Sequence, residues 1–271
     1  MIDWDDAYAN SAHIPGSDRL PAEWAARAAA FRASLARYCV EISYGSDERQ
    51  RIDLVRPHGE VRGLMIFVHG GYWMQFDKSF WTHFAAGPRA CGWAVALPSY
   101  TLAPRASLDE MAVEVAAAIE RVSGVVPGPI LLTGHSAGGH LVARMACDDS
   151  PLSEKLYARV AAVVSISGLH DLRPLLNTQM NETLRMSLRD ATAESPALRL
   201  PRDAPRVLAA VGSAERPEFI RQSELIANIW AGLGATTRLV IEPHCNHFSI
   251  LDGLVDSASS IVRNVFRITS A

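Results

Sequence analysis

The sequence contains no long apolar run and no cluster of basic residues. Its apolar stretches all fall short of the ~20 residues that a membrane-spanning helix needs. The 26 basic and 29 acidic residues are spread along the 271-residue chain and give a net charge of −3, whereas a nucleic-acid-binding surface shows basic clustering. We therefore expect neither a membrane nor a nucleic acid as partner, and a soluble globular protein is the expected class.

The cysteines and histidines lack the spacing of metal ligands. Cys39, Cys91, Cys147 and Cys245 lie far apart, which predicts free thiols in a reducing compartment. The nine histidines contain no His-Glu-x-x-His pair, and neither a metal nor an organic cofactor is predicted. The first residues are acidic and do not match a secretory signal peptide. The expected location is therefore cytoplasmic.

What the sequence does contain is a regular alternation of predicted strands and helices. Strand-like segments occupy residues 40–44, 51–56, 63–68, 94–98, 130–133, 161–166, 206–211 and 238–241, of which 63–68 is a continuous apolar run. Helical patterns occupy residues 21–38, 78–91, 108–122, 141–146, 218–231 and 250–268. This alternation predicts an α/β fold, with a mostly parallel, doubly wound sheet and helices on both faces. The first two strands would form an antiparallel edge. Without repeats or linkers, residues 1–271 are predicted to form a single domain.

One segment interrupts the alternation. Residues 170–205 lie between two predicted strands, are too many for a simple crossover, and contain Pro174, Pro196 and Pro201. Insertions above the carboxyl ends of strands are where α/β enzymes bind ligands. We predict a small lid or cap here.

The most informative motif is Gly134-His135-Ser136-Ala137-Gly138, which follows a predicted strand and precedes a predicted helix. In a nucleophile elbow, a sharp strand-to-helix turn lifts a serine hydroxyl clear of the sheet. Glycines suit the flanking positions because side chains there would collide with neighbouring backbone. An ordinary glycine-rich turn of an α/β protein would also fit the pentapeptide. Ser136 is therefore a candidate nucleophile that needs support from other motifs.

A nucleophilic serine needs a neighbouring base, and that base needs an orienting carboxylate. Around a nucleophile elbow the three follow in the order serine, acid, histidine. His247 comes directly after the last predicted strand and is the candidate base, with His244 as the competitor. Glu215 follows the preceding strand and is the candidate acid. Glu218 is the alternative acid, although we expect it to begin a helix, where a carboxylate stabilises the positive end of the dipole.

A further motif, His-Gly-Gly-Tyr-Trp at 69–73, follows the buried strand that ends at residue 68. It matches the glycine-rich loop that supplies backbone donors to an oxyanion, with tyrosine at the third glycine position. We assign the donors to the amides of Gly71, Tyr72 and Ala137. A phosphate-binding loop is the alternative, but the Gly-Lys-Ser/Thr ending of such a loop is missing.

Together these motifs resemble the α/β-hydrolase superfamily, and within it the branch of hormone-sensitive-lipase-like esterases and kynurenine formamidases. The general resemblance rests on His-Gly-Gly at 69–71, Tyr-Thr-Leu-Ala-Pro at 100–104 and Gly-His-Ser-Ala-Gly-Gly at 134–139. The narrower resemblance to kynurenine formamidases rests on residues 5–10, 69–73, 167–175, Asn181 and 194–196. Glu215 departs from the aspartate usual in the family. Arg105 stands where the esterase branch usually has an acid, which weakens the case for a lipase-like esterase.

The resemblance implies an α/β-hydrolase fold and a serine hydrolase without a cofactor. Its substrate would be a small molecule, N-formyl-L-kynurenine, which is cleaved to L-kynurenine and formate in tryptophan degradation. Tyr72 and Trp73 would narrow the acyl side of the pocket and could stack on an aromatic leaving group, although core packing is the alternative for both. Trp73 and His135 are the candidate substrate-binding residues. A second copy of the chain is a further candidate partner.

Two other functions stay open from the sequence. A carboxylesterase or thioesterase acting on short acyl groups would use the same serine, acid and histidine. A non-catalytic hydrolase fold that serves as a binding protein normally lacks one of these three, and candidates for all three are present here.

Overall fold

The computed structural model describes residues 2–268. Within them, eight strands form one sheet: β1 Cys39–Ser43, β2 Arg51–Val55, β3 Leu64–Val68, β4 Ala94–Pro98, β5 Ile130–His135, β6 Val160–Ile166, β7 Arg206–Gly212 and β8 Thr236–Glu242. Their order across the sheet is β1-β2-β4-β3-β5-β6-β7-β8. β2 pairs antiparallel with β1 and with β4, and all remaining pairs are parallel. The predicted mostly parallel sheet and its antiparallel edge are confirmed.

Helices cover both faces of this sheet. The α-helices are α1 Trp4–Tyr8, α2 Leu20–Leu35, α3 Ala86–Ala90, α4 Leu108–Ser123, α5 Ala137–Arg144, α6 Glu154–Tyr157, α7 Asn181–Leu184, α8 Leu188–Ala193, α9 Pro217–Gly232 and α10 Ser260–Arg267. Because side chains alternate along a strand, Leu64 and Ile66 of β3 join the core beneath α4, α5 and α9. Met65 and Phe67 join the opposite core, beneath α2 and α10. The doubly wound architecture follows from this alternation.

The segment predicted as one helix over 78–91 is divided. It consists of two 3₁₀ turns, Lys78–Phe80 and Thr82–Ala85, followed by α3. Side chains from other parts of the chain form hydrogen bonds with groups of this segment. The Arg32 guanidinium donates to the Ser79 carbonyl oxygen at 2.9 Å, and the Thr82 hydroxyl donates to the buried Asp53 carboxylate at 2.8 Å. Long-range polar contacts therefore override the local helical pattern.

The segment predicted as one helix over 250–268 is also divided. A 3₁₀ segment covers Ser249–Val255, and α10 starts only at Ser260. Between them Asp256 is extended, with φ −106° and ψ 120°, and the Ser259 hydroxyl accepts the Val262 amide at 3.2 Å as an N-cap. A serine cap of this kind starts a new helix rather than continuing an old one.

The inserted segment 170–205 contains α7, α8 and two 3₁₀ segments, Arg173–Asn177 and Pro196–Leu198. Its role as a lid, and the assignment of the whole chain to one domain, stay predictions. No helix within residues 2–268 has both the length and the apolar character required to traverse a bilayer. The four cysteines are free thiols.

Several histidines are buried among the helices and strands. Burial is the main cause that lowers the pKa of His69 and His83 to about 4, and that of His140 and His170 to about 3. Within residues 2–268, neither ring nitrogen of His83 has a hydrogen-bond partner. These side chains are neutral in the folded protein at neutral pH.

Acid should therefore destabilise the fold well above the carboxylate range. The unfolded chain takes up a proton on each histidine near pH 6.5, whereas the folded chain does so only near pH 4 or below. The free energy of unfolding is therefore not reduced by these histidines above about pH 6.5. It decreases as pH falls towards 4, by about 1.4 kcal/mol per pH unit for each fully buried neutral histidine. Urea unfolding at pH 7 and pH 5 measures this decrease.

The matched variants for this experiment are His83→Phe and His58→Gln. His83→Phe removes one buried titrating group without breaking a hydrogen bond, and we expect a shallower pH dependence. His58 is exposed, so that His58→Gln should retain the wild-type slope. Equal slopes in all three proteins would contradict the assignment of acid sensitivity to buried histidines.

Candidate active site

Ser136 occupies a strained turn between β5 and α5. Its backbone has φ 53° and ψ −119°, a left-handed φ that costs free energy in a non-glycine residue. Two glycines make this turn sterically feasible. A Cβ on Gly134 would lie 2.1 Å from the Gly138 carbonyl oxygen, and one on Gly138 would lie 2.0 Å from that of Val68. Helix, turn and β3 are thus packed backbone to backbone, which is the geometry of a nucleophile elbow.

His247 and Glu215 meet in the loops that follow β8 and β7. His247 Nδ1 lies 2.7 Å from Glu215 Oε2, and both side chains are buried, 3% and 0% exposed. Glu215 Oε1 also accepts the Ser167 hydroxyl at 2.5 Å and the Gly212 amide at 2.8 Å. Because a carboxylate only accepts hydrogen bonds, Nδ1 of His247 carries its proton and Nε2 is left with a lone pair.

The competing candidates lie elsewhere. Glu218 accepts the Tyr8 hydroxyl at 2.8 Å, the Gln222 amide at 2.9 Å and the Arg221 guanidinium at 2.7 and 2.8 Å. Its carboxylate therefore ties α9 to the start of the chain. His244 is exposed at a turn with φ 61°. The structure brings Glu215, and not Glu218, into contact with His247.

The 69–73 loop lies directly against the elbow. A Cβ on Gly70 would stand 3.0 Å from Ser136 Cβ. Gly71 and Tyr72 have left-handed φ values of 109° and 50°, and within residues 2–268 their amides have no hydrogen-bond acceptor. Ala137 is the first residue of α5, whose amide has no intrahelical acceptor. The three amides predicted to donate hydrogen bonds to an oxyanion are thus near the elbow and have no acceptor within the described chain.

His135 connects the elbow to the His247 loop. Its Nε2 donates to the His247 carbonyl oxygen at 2.8 Å, and the two rings are 4.6 Å apart. Burial, followed by the nearby His247, lowers the pKa of His135 well below its usual value. A neutral His135 that donates from Nε2 therefore holds the loop that carries His247.

A cavity of about 680 Å³ opens in front of Ser136 and His247, a size suited to a drug-sized ligand. Its wall comes from four parts of the chain: residues of the N-terminal segment (Asp5, Tyr8, Ala9, Asn10, Ser11, Ala12, Ser17, Asp18, Pro21, Trp24), the 69–73 loop and its surroundings (Gly70, Gly71, Tyr72, Gln75, Phe76, Trp81), the insertion (Gln179, Met180) and the segments that follow β5 and β8 (His135, Ser136, His247, Phe248).

Among residues 2–268, no cluster of three potential metal-ligating His, Cys, Asp or Glu side chains is found.

The prediction that Trp73 contacts substrate is wrong. Its side chain is fully buried, packs edge-on against His140 with ring centroids 5.1 Å apart, and takes no part in the cavity wall. The left-handed backbone at Trp73, with φ 58°, accompanies a side chain that packs in the core. Tyr72 and His135 do line the cavity.

The N-terminal segment supplies a wall that motif reasoning did not assign. The Tyr72 hydroxyl donates to the Tyr8 carbonyl oxygen at 2.5 Å and accepts Asn10 Nδ2 at 3.4 Å. Asp5 Oδ1 accepts the Gln179 amide of the insertion at 2.8 Å. The family-like pattern at residues 5–10 was the only sequence signal for this part of the cavity.

Comparisons with known proteins agree with this architecture. The profile of a family described as the alpha/beta hydrolase family matches residues 65–246. The kynurenine formamidase of Salmo salar is 31% identical over 238 residues, 82% of this chain and 79% of that protein, and that of Danio rerio is 28% identical over 234 residues, with the same coverage.

Among solved structures, one described as a putative thioesterase from silicibacter sp. tm1040 superposes with a TM-score of 0.92 and 43% identity, over 98% of this chain and all of that one. Esterase B from Lactobacillus rhamnosis superposes with a TM-score of 0.68 at 19% identity, over 98% of this chain and 96% of that one. This second likeness concerns the fold alone.

The role of Glu218 as an anchor for the N-terminal segment can be tested with Glu218→Gln. The change removes the charge that holds Tyr8 and Arg221, and we expect faster amide hydrogen exchange across residues 4–19, because local opening there becomes easier. Glu224→Gln on the exposed side of the same helix is the matched control and should leave exchange unchanged. Wild-type exchange in Glu218→Gln would contradict the anchoring role.

Proposed function

We propose, from the premise that this chain belongs to the alpha/beta hydrolase family, that it is a serine hydrolase in which Ser136 is the nucleophile, His247 the base and Glu215 the acid. The observation that carries the proposal is the 2.7 Å contact between His247 Nδ1 and Glu215 Oε2. It leaves Nε2 of His247 free to accept the serine proton. The loop of His247 is bound to the strained turn of Ser136 through the hydrogen bond from His135. Ser136 and His247 border the same cavity.

The finer proposal is an arylformamidase that hydrolyses N-formyl-L-kynurenine. Ser136 Oγ adds to the formyl carbon while its proton passes to His247 Nε2. The oxyanion accepts hydrogen bonds from the amides of Gly71, Tyr72 and Ala137, which stabilise it as it forms. When the C–N bond breaks, His247 returns the proton to the departing arylamine. Water, activated by His247, then attacks the formyl ester and releases formate and the free serine.

The residues that line the cavity favour a substrate with an aromatic leaving group. Trp24, Phe76, Trp81 and Phe248 all line it, and aromatic side chains bind planar rings through stacked or edge-on contacts. The similarity to two kynurenine formamidases over about four-fifths of the chain supports the same substrate class.

The alternative is hydrolysis of a short acyl ester or thioester by the same residues. It is favoured by the 43% identity to the structure described as a putative thioesterase.

A cytoplasmic location fits the free cysteines, and self-association of the chain stays a prediction.

The proposed mechanism predicts a loss of about 10⁶ in kcat for Ser136→Ala, by comparison with other serine hydrolases. Ser257→Ala, at an exposed position, is the matched control and should keep full activity. A loss below tenfold for Ser136→Ala would rule out the mechanism.

The substrate is tested by kcat/KM of the wild type on N-formyl-L-kynurenine and on short p-nitrophenyl esters and thioesters. A preference for the esters by orders of magnitude would overturn the formamidase proposal and favour the alternative.

His135 is proposed as a positioning residue that acts through the His247 carbonyl oxygen. His135→Leu removes the donor and should lower kcat by on the order of 10²-fold with little change in KM, because small displacements of a reacting group are costly. His135→Gln can present an amide N–H near the position of Nε2 and should recover much of the loss. If both variants lose the same activity, or if KM alone changes, His135 has a different role.

A further inference from the structure

The carboxyl end of β6 connects the turn of Ser136 with the loop of Glu215. The carbonyl oxygen of Ile166, the last residue of β6, accepts the Ser136 amide at 2.9 Å. The next residue, Ser167, donates its amide to the Ala210 carbonyl oxygen of β7 at 2.7 Å. Its hydroxyl donates to Glu215 Oε1 at 2.5 Å. This end of the strand is thus bound to the proposed nucleophile on one side and to the proposed acid on the other.

The backbone of Ser167 is strained, and its side chain is fully buried. Its φ is 51°, a left-handed value that costs free energy in a non-glycine residue and that glycine adopts without this cost. Within residues 2–268, the hydroxyl of Ser167 uses its proton for Glu215. The serine therefore occupies a position that glycine would fill with less strain, and the contact with Glu215 is what glycine could not provide.

The two donors to Glu215 Oε1 differ in what they fix. Gly212 lies at the end of β7, three residues before Glu215, and its amide donates at 2.8 Å from the same strand and loop. Ser167 follows the neighbouring strand, so that its hydroxyl fixes the carboxylate relative to the rest of the sheet. Glutamate has one rotatable bond more than aspartate, and ordering its side chain costs more conformational entropy. A donor from outside the loop supplies the restraint that this longer acid needs.

We propose that Ser167 is a positioning residue that acts through Glu215. Its hydroxyl holds Oε1, which leaves Oε2 directed at His247 Nδ1 at a distance of 2.7 Å. Because this contact orients the imidazole ring, the hydroxyl determines how well Nε2 is placed to accept the Ser136 proton. This inference rests on the proposed function, since it takes Ser136, Glu215 and His247 as the reacting residues.

The first test removes the hydroxyl alone. Ser167→Ala should lower kcat by about tenfold or more with little change in KM, because small displacements of a reacting group are costly while the residues that line the cavity are unchanged. Ser167→Cys keeps a weaker donor of similar shape and should lose less. Wild-type kcat in Ser167→Ala, or a loss that appears only in KM, would overturn the proposal.

Ser165→Ala is the matched control. Ser165 is buried in the same strand, two residues earlier, but its hydroxyl lies 3.1 Å from His170 Nε2 and not at Glu215. We expect this variant to lose stability and to keep the wild-type kcat. If it loses as much kcat as Ser167→Ala, the effect belongs to the packing of β6 and the positioning role is wrong.

Glycine separates the hydroxyl from the backbone strain. Ser167→Gly removes the same hydroxyl but relieves the left-handed φ, so that we expect a higher Tm than in Ser167→Ala together with an equal or larger loss of kcat. A purely structural role predicts the opposite, since the more stable variant would then be the more active one. Wild-type kcat in Ser167→Gly would therefore contradict the positioning role.

A double-mutant cycle tests whether the hydroxyl acts through Glu215. In Glu215→Asp the side chain is one methylene shorter, and we expect its carboxylate no longer to span both Ser167 and His247. Adding Ser167→Ala to this variant should therefore reduce kcat much less than it does in the wild type, because residues that share a contact are not additive. Equal losses in the two backgrounds would show independent effects and would overturn the inference.

A p-nitrophenyl phosphonate distinguishes failure of this inference from failure of the proposed function. The probe phosphonylates an activated serine and releases p-nitrophenolate, whichever acyl group the enzyme prefers. We expect Ser167→Ala to react more slowly by the same factor as in kcat, and Ser136→Ala not to react. A wild-type rate in Ser167→Ala beside an unreactive Ser136→Ala would overturn the positioning role alone. A wild-type rate in Ser136→Ala would overturn the proposed function and this inference with it.

Discussion

The hydrogen bond between His247 and Glu215 joins loops that follow two neighbouring strands, and the rest of the site is arranged to keep it. Glu215 is held from behind by the Ser167 hydroxyl after β6 and by the Gly212 amide at the end of β7. His247 is held by His135, which donates to its carbonyl oxygen from the end of β5. Four adjacent strands therefore contribute to one polar network at their carboxyl ends. In a buried network of this kind each partner is needed, because an unpaired polar group in a low-dielectric interior is costly.

The N-terminal segment forms one wall of the cavity at this edge of the sheet. Glu218 receives the Tyr8 hydroxyl, and the Tyr8 carbonyl oxygen receives the Tyr72 hydroxyl. Tyr72 also supplies one of the proposed oxyanion donors. The N-terminal side of the cavity is thus connected through two hydrogen bonds to the loop that carries the proposed oxyanion donors. Glu215 and Glu218 lie three residues apart, yet they have different partners. Glu215 accepts a hydrogen bond from His247, whereas Glu218 accepts one from Tyr8 of the N-terminal segment.

The glutamate at position 215 shows how a departure from a family pattern is accommodated. Its side chain is one methylene longer than aspartate, and Oε1 folds back to the Gly212 amide while Oε2 reaches His247. The extra length is taken up within the loop itself. The sequence could nominate Glu215 by its distance from the strand, but only the fold shows that its carboxylate reaches the imidazole.

The sequence by itself determined the features that depend on local pattern. Apolar runs indicated β3 and β4, which are buried along their whole length, and the glycines around Ser136 indicated a turn that no larger residue permits. The tertiary structure alone decided features that depend on residues distant in the chain. It divided the predicted helices 78–91 and 250–268, moved Trp73 from the cavity to the core, and brought Tyr8 to Glu218 across 210 positions. Such contacts leave no periodic signal, because they depend on where separate elements pack against each other rather than on the spacing of residues within any one of them.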